Sequence, residues 1–254
     1  MAFYDLDKEE RKAVAGTIQM KLALDIQGGD QSHWLLYFSD ADTYIRKTAY
    51  LAVGKIYKQT PALLPELLQW LHALLQSDQE QVRQTVINAA GEIGIHDFDA
   101  VAAFMEQGLF DAHHCVRNAV IGSIKKMGEK NPVPVLAFAN RYLHHPDKEI
   151  RREICHGIEL QGRTHPQDIL PMLQTLEHDT TARVRNTLIH VLGQISYKKG
   201  CLETVVSHLE SWENQTLVTK ALEEIIDVHD RYKDFAIYTQ QQAREYIEQH
   251  YKAS

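Results

Sequence analysis

The chain has 254 residues, enough for one large domain or one extended array. Hydrophobic residues make up 44% and charged residues 24%, as in a folded globular protein, and without a run of 18 or more apolar residues no membrane-spanning helix is expected. The net charge of −7 is wrong for a default nucleic-acid binder, because phosphate backbones attract dense Lys/Arg surfaces; only residues 129–199, with 10 basic and 8 acidic groups, lean positive.

Residues 1–30 read as an N-terminal capping helix, carried by DLDKEERKAVAGTIQMKLALDIQ (5–27) and broken by Gly28-Gly29. The charged start MAFYDLDKEERK has no apolar signal core. Cys115, Cys155 and Cys201 are scattered and odd in number, which points to buried thiols in a reducing compartment. A cytoplasmic location is therefore expected.

Residues 31–232 carry an internal repeat. Arginines recur at Arg46, Arg83, Arg117, Arg151 and Arg185, in steps of 37, 34, 34 and 34. One further step lands on Thr219, where the apolar pattern continues without the arginine. Three residues after each anchor lie Ala49, Val86, Val120, Ile154, Leu188 and Leu222. Seven after it lie Val53, Ala90, Ile124, Ile158, Leu192 and Ile226. Spacings of three, four and seven mark one helix face.

Gly94, Gly128 and Gly162, each eleven residues after its arginine, are expected to end their helices in a left-handed cap. Asp40, Asp78, Asp111, Asp147 and Asp179 precede the helices, where a carboxylate can cap free amides. A second helical pattern falls between these: 33–38, 61–76, 97–110, 132–144, 166–177 and 201–212. Each unit is therefore helix, turn, helix, and neighbouring pairs must stack to bury their apolar faces. Residues 233–254, with YTQQQAREYIEQHYKA (238–253), read as a polar C-terminal capping helix. The expectation is a single structural domain.

The recurring D-x(3–4)-[VI]-R-x-x-[AVIL] cores at 45–49, 82–86, 116–120, 150–154 and 184–188 resemble the HEAT-repeat family of α-solenoids. The glycine eight residues after the arginine is present at Gly54, Gly91 and Gly193 and replaced by Lys125 and Glu159 in the middle units. The resemblance implies an all-α fold, a right-handed α-solenoid of about six helix pairs with terminal caps. It implies that Arg46, Arg83, Arg117, Arg151 and Arg185 form a structural ladder between adjacent repeats. It also implies that the second helix of each pair lines a concave side.

The outward stripe of those helices holds Lys47, Gln84, Asn118, Arg152, Asn186 and Lys220, then Asn88, His156, His190 and Glu224, then Lys55, Glu92, Lys126, Glu159, Gln194 and Asp227. This mixed, hydrogen-bonding ridge suits a protein or peptide partner. Around Lys126, Arg152 and His156 it is weakly basic and would accept an acidic segment. The expected function is a non-enzymatic interaction scaffold centred on Arg152, His156, Asn186 and His190.

Fourteen histidines raise the question of a metal. His113-His114 and His144-His145 are adjacent pairs without the i, i+4 spacing by which one helix holds zinc. Some HEAT proteins are di-iron hydroxylases built on His-Glu dipeptides, and this chain has none. No metal and no cofactor are expected. The chain also resembles, more distantly, the HEAT-like DNA-alkylation-repair proteins, whose groove holds a nucleotide with aromatic residues and a carboxylate. Trp34, Trp70 and Trp212 lie on first helices, off the ridge, so no catalytic residue is carried over. A HEAT-like DNA-binding or repair protein is the alternative, disfavoured by the net charge. The run VHDRYKDF (228–235) reads as a charged exit loop.

Overall fold

The computed structural model describes residues 3–252, which form helices and turns; no strand occurs among the described residues. The chain divides into two compact units, Met1–Asn131 and Pro132–Ser254.

The first unit contains α1 (Lys8–Gly28), α2 (Ser32–Phe38), α3 (Thr43–Gln59), α4 (Leu64–Leu75), α5 (Glu80–Gly94), α6 (Ala102–Leu109) and α7 (His114–Lys130). Helix α1 opens on a reciprocal capping box between Asp7 and Glu10 and closes on Gly29 in the left-handed region, at φ 70°. The long helices α1, α3, α5 and α7 pack each on the next, and α2, α4 and α6 each pack against the long helix that follows. The repeat positions face inward: Ala49, Val53, Val86, Ala90, Val120 and Ile124 are all buried. Trp34 and Trp70 meet edge to face at 5.4 Å, and the Trp34 indole donates to the Leu22 carbonyl at 3.1 Å.

The second unit contains α8 (Pro132–Tyr142), α9 (Lys148–Gly157), α10 (Glu159–Gly162), α11 (Pro166–Gln174), α12 (Ala182–Gln194), α13 (Cys201–Leu209), α14 (Gln215–Arg231) and α15 (Gln240–His250). Here α9, α12, α14 and α15 pack in succession, and α11 packs on α13. Ile154, Ile158, Leu188, Leu192 and Ile226 are buried, whereas Leu222 is half-exposed. Helix α15 starts with a capping box between Thr239 and Gln242 and covers α13 and α14. No helix among the described residues is long and apolar enough to cross a membrane.

Three local expectations change. First, positive φ occurs, among the described residues, only at Gly29 and Gly200. Gly94, Gly128 and Gly162 are right-handed, and at Gly94 and Gly162 closeness is what excludes a side chain. A Cβ on Gly94 would lie 2.3 Å from Met127 Sδ, and one on Gly162 would lie 2.3 Å from Ile169 Cδ1. Second, of the five acids only Asp147 is itself an N-cap, accepting from the Glu149 amide at 2.8 Å. Asp40, Asp111 and Asp179 accept the amide two residues on, at Asp42, His113 and Thr181, and so shape the turn before the helix. Helix α5 opens on Gln79 with no side-chain cap. Third, the second helix of the middle repeat is not continuous: it is interrupted at Ile158, and Glu159 starts the short α10.

Candidate functional site

The repeat arginines hold the turns from which the ridge helices start. Each sends Nη1 back to the carbonyl six residues earlier: Arg46 to Asp40, Arg83 to Ser77 at 2.8 Å, Arg117 to Asp111 at 2.7 Å, Arg151 to His145 at 2.8 Å, and Arg185 to Asp179. Arg83 and Arg151 also reach forward to the next repeat. Arg83 grips both oxygens of Asp111 at 2.7 and 3.1 Å, and Arg151 grips both oxygens of Asp179 at 2.6 and 3.2 Å. Planar fork-to-fork geometry makes such pairs strong and directional.

Electrostatics at these turns follow from the geometry. Burial raises the Asp111 and Asp179 carboxyls, but the guanidinium bonds and the amides of His113 and Thr181 outweigh it, and both lie below the usual carboxylate range. Hydrogen bonding to the same carboxylates raises Arg83 and Arg151 further.

In the first unit, Lys47, Gln84 and Asn88 line one open cleft of about 450 Å³ together with Arg46 and Tyr50. Lys47 is exposed and the two amides half-exposed; Asn88 donates to the Gln84 carbonyl at 3.0 Å. Asn118 is exposed on α7. Lys126 is not a free cation, because it is ion-paired with Glu92 on the preceding second helix.

In the second unit, Asn186 and Lys220 are exposed and line a smaller cleft of about 160 Å³ with Ile189 and Asn214. Arg152 is held by its own helix, donating to Glu149 at 2.9 Å and to buried Glu153 at 3.4 Å. The weakly basic character expected around Lys126 and Arg152 is therefore cancelled by Glu92 on the preceding repeat and by Glu149 and Glu153 on the helix of Arg152. His156 and His190, 34 residues apart, are brought together across the repeat seam, with ring centroids 5.8 Å apart. Glu224 lies 3.7 Å from His190 and 3.1 Å from Arg231.

The outer stripe departs most from the sequence reading. Lys55 and Asp227 are exposed, but Glu159 and Gln194 are each only 1% exposed. Arg163 donates to both of them, to Gln194 Oε1 at 2.8 Å and to Glu159 Oε1. A signal for this was present: Glu159 stands at the register of Gly54, Gly91 and Gly193, where adjacent helices approach closely.

Trp34, Trp70 and Trp212 are buried, Trp212 in the turn after α13 with its indole donating to His208 Nδ1 at 2.9 Å. Cys155 and Cys201 are buried, whereas Cys115 is half-exposed, with Sγ 3.4 Å from His114 Nε2. Within VHDRYKDF, residues 228–231 belong to α14, and His229 is buried with Nδ1 2.8 Å from the Ile225 carbonyl.

Residues 32–125 match the family model for HEAT repeats. Among solved structures the chain is similar to AlkD2 from Streptococcus mutans, at 16% identity over 80% of this chain and 97% of that one, with a TM-score of 0.56. It is also similar to smu.31 from Streptococcus mutans UA159, at 16% identity over 69% and 97%, TM-score 0.49, and to computationally designed armadillo repeat proteins for modular peptide recognition, at 15% identity over 76% and 97%, TM-score 0.36. No curated protein matches the chain by sequence. At these identities the likeness concerns the fold. With the stacked helix pairs and the arginine-held turns, residues 32–125 are similar to HEAT repeats, and the chain has an all-α, solenoid-type fold.

Proposed function

We propose that the chain is a non-enzymatic scaffold that binds a protein or peptide through the ridge of its second helices. The observation that supports this reading is the division of labour along those helices. The anchors Arg46, Arg83, Arg117, Arg151 and Arg185 are turned to carbonyls, while Lys47, Gln84, Asn88, Asn118, Asn186, His190 and Lys220 remain at least half-exposed in register beside them. Side-chain amides and short-range charges of this kind give specificity through paired hydrogen bonds.

The partner contacts are expected at Asn186 and Lys220, which are exposed, more than at Arg152 and Lys126, which already have carboxylate partners. A cytoplasmic setting goes with this reading, on the three free thiols. DNA binding is the competing outcome. It would draw on the basic excess of residues 129–199, although Arg151, Arg152, Arg163 and Arg183 there all bond carboxylates of the chain itself.

The test is quantitative co-purification with the tagged chain and with an Asn186→Glu, Lys220→Glu variant. Both positions are exposed, so the variant should melt within a degree or two of the parent. Loss of a stoichiometric protein from the folded variant supports the ridge; equal capture by both removes it.

A further inference from the structure

The seam between the middle repeats carries a cluster that partner binding does not explain. We infer that His156, Glu159 and His190 form a zinc-type divalent-cation site. This goes beyond the scaffold reading and does not rest on it.

The first observation is the register. Where α3, α5 and α12 carry Gly54, Gly91 and Gly193, a Cβ would come within 2.5–2.6 Å of the adjacent helix. The middle repeat places a glutamate there, and its helix is interrupted at Ile158, directly before it. A carboxylate thus sits at a register that is glycine in three repeats, where a Cβ would collide with the adjacent helix, and Lys125 in α7. Burying an ionised carboxylate is costly unless charge and hydrogen bonds compensate it. At 1% exposure Glu159 is such a group.

The second observation is the donor set. His156 Nε2 is 3.2 Å from Glu159 Oε2, and one donor atom from each of His156, Glu159 and His190 lies within 4.8 Å of the others. Tetrahedral zinc with bonds of about 2.0–2.1 Å spaces its ligand atoms roughly 3.3 Å apart. Small rotations of two imidazoles on adjacent helices close the difference. The histidines are 33% and 43% exposed, so the pair forms a mouth above a buried carboxylate floor. Two histidines and one glutamate are a recurrent zinc donor set that leaves a fourth position open.

The third observation is the support around the donors. Arg163 bonds Glu159 Oε1 and so leaves Oε2 turned toward His156. Arg163 is itself fixed by Gln194 Oε1, and Gln194 Nε2 is buried with no hydrogen-bond partner. Outer groups that orient a ligating carboxylate in this way tune metal affinity. Glu224, 3.7 Å from His190 Nδ1 and 3.1 Å from Arg231, places a further carboxylate beside His190.

The experiment uses the full chain, zinc competition against a chromophoric chelator, and cobalt(II) as a spectroscopic stand-in. The expected result is one tight equivalent of zinc, visible cobalt d–d bands without a thiolate charge-transfer band, and a zinc-dependent rise in Tm. His156→Gln and His190→Gln, at half-exposed positions, should fold normally without metal and each weaken zinc by at least about tenfold. Glu159→Gln should do the same, but it also frees Arg163, so the histidine variants decide. Undiminished zinc affinity in either folded histidine variant overturns the site. So does a cobalt–thiolate band, which would place the ion at His113, His114 and Cys115, the other grouping of donor atoms. Failure of the parent chain to bind zinc at micromolar concentrations overturns it as well.

Discussion

Arg151 and Asp179 are 28 residues apart in sequence, yet two guanidinium nitrogens of one meet both carboxylate oxygens of the other, at 2.6 and 3.2 Å. Arg83 and Asp111 repeat the arrangement at the same separation, at 2.7 and 3.1 Å. Each aspartate also accepts the amide two residues on, and its carbonyl receives the next arginine of the series. One residue thereby joins three things: the previous repeat, its own turn and the following helix.

Asp179→Asn should be costly out of proportion to one surface charge. The pair is well shielded, with side-chain exposures of 14% and 5%. Removing one partner leaves a guanidinium against a neutral amide in a partly buried turn. We expect a loss of about 2–3 kcal/mol in denaturant unfolding. A double-mutant cycle with Arg151→Met should return a coupling of about 1 kcal/mol or more.

Acid stability should depend on the same two aspartates. Their carboxyls are held below the ordinary value, so they contribute stability that is fully present above the unfolded-state value of about 3.9 and is lost as pH falls through the folded value. Stability should therefore fall below about pH 4. In an Asp111→Asn, Asp179→Asn variant, stability at neutral pH should be lower and the fall shallower. Chemical denaturation at a series of pH values measures both slopes.

Gly91→Ala should destabilise the first unit. The added methyl would lie 2.5 Å from Ser123 Oγ and 2.7 Å from Ser123 Cβ, and the latter cannot move without its helix. Overpacking of this kind costs about 1–3 kcal/mol. Gly122→Ala on α7 is the internal control: nothing lies within 4 Å, and the higher helix propensity of alanine should make it neutral or stabilising by up to about 1 kcal/mol. Thermal melts of both variants check the contrast.

Thiol chemistry should single out one cysteine. Burial pushes the Cys155 and Cys201 thiols up, Cys155 far above the ordinary range, whereas Cys115 is half-exposed. A disulfide-exchange reagent should titrate one thiol in the native protein and three after denaturation. Substitution of Cys115 by serine should abolish the native reaction.

The helix pairs were readable because their periodicity is a packing requirement. Ala49, Val86, Val120 and Ile154 recur at one register because each is buried in the core of its unit. The glycines are legible as necessary, but not the reason they are. Sequence marks a position intolerant of side chains, while the choice between positive φ and close approach depends on the adjacent helix, as Gly94 against Met127 shows. The ridge was legible only as a stripe. Period places Lys126 and Arg152 on it but does not reveal Glu92 and Glu149, which engage them. Helical period alone points Glu159 outward. The interruption at Ile158 and the approach of α12 bury it.

Co-purification of the tagged chain from its own cells, with and without nuclease, tests the scaffold reading most directly. A stoichiometric protein that survives nuclease and is lost with Asn186→Glu, Lys220→Glu is the predicted result. Recovery of DNA or RNA, with all co-purifying protein lost after nuclease, would contradict it and make the chain a nucleic-acid binder despite its charge of −7.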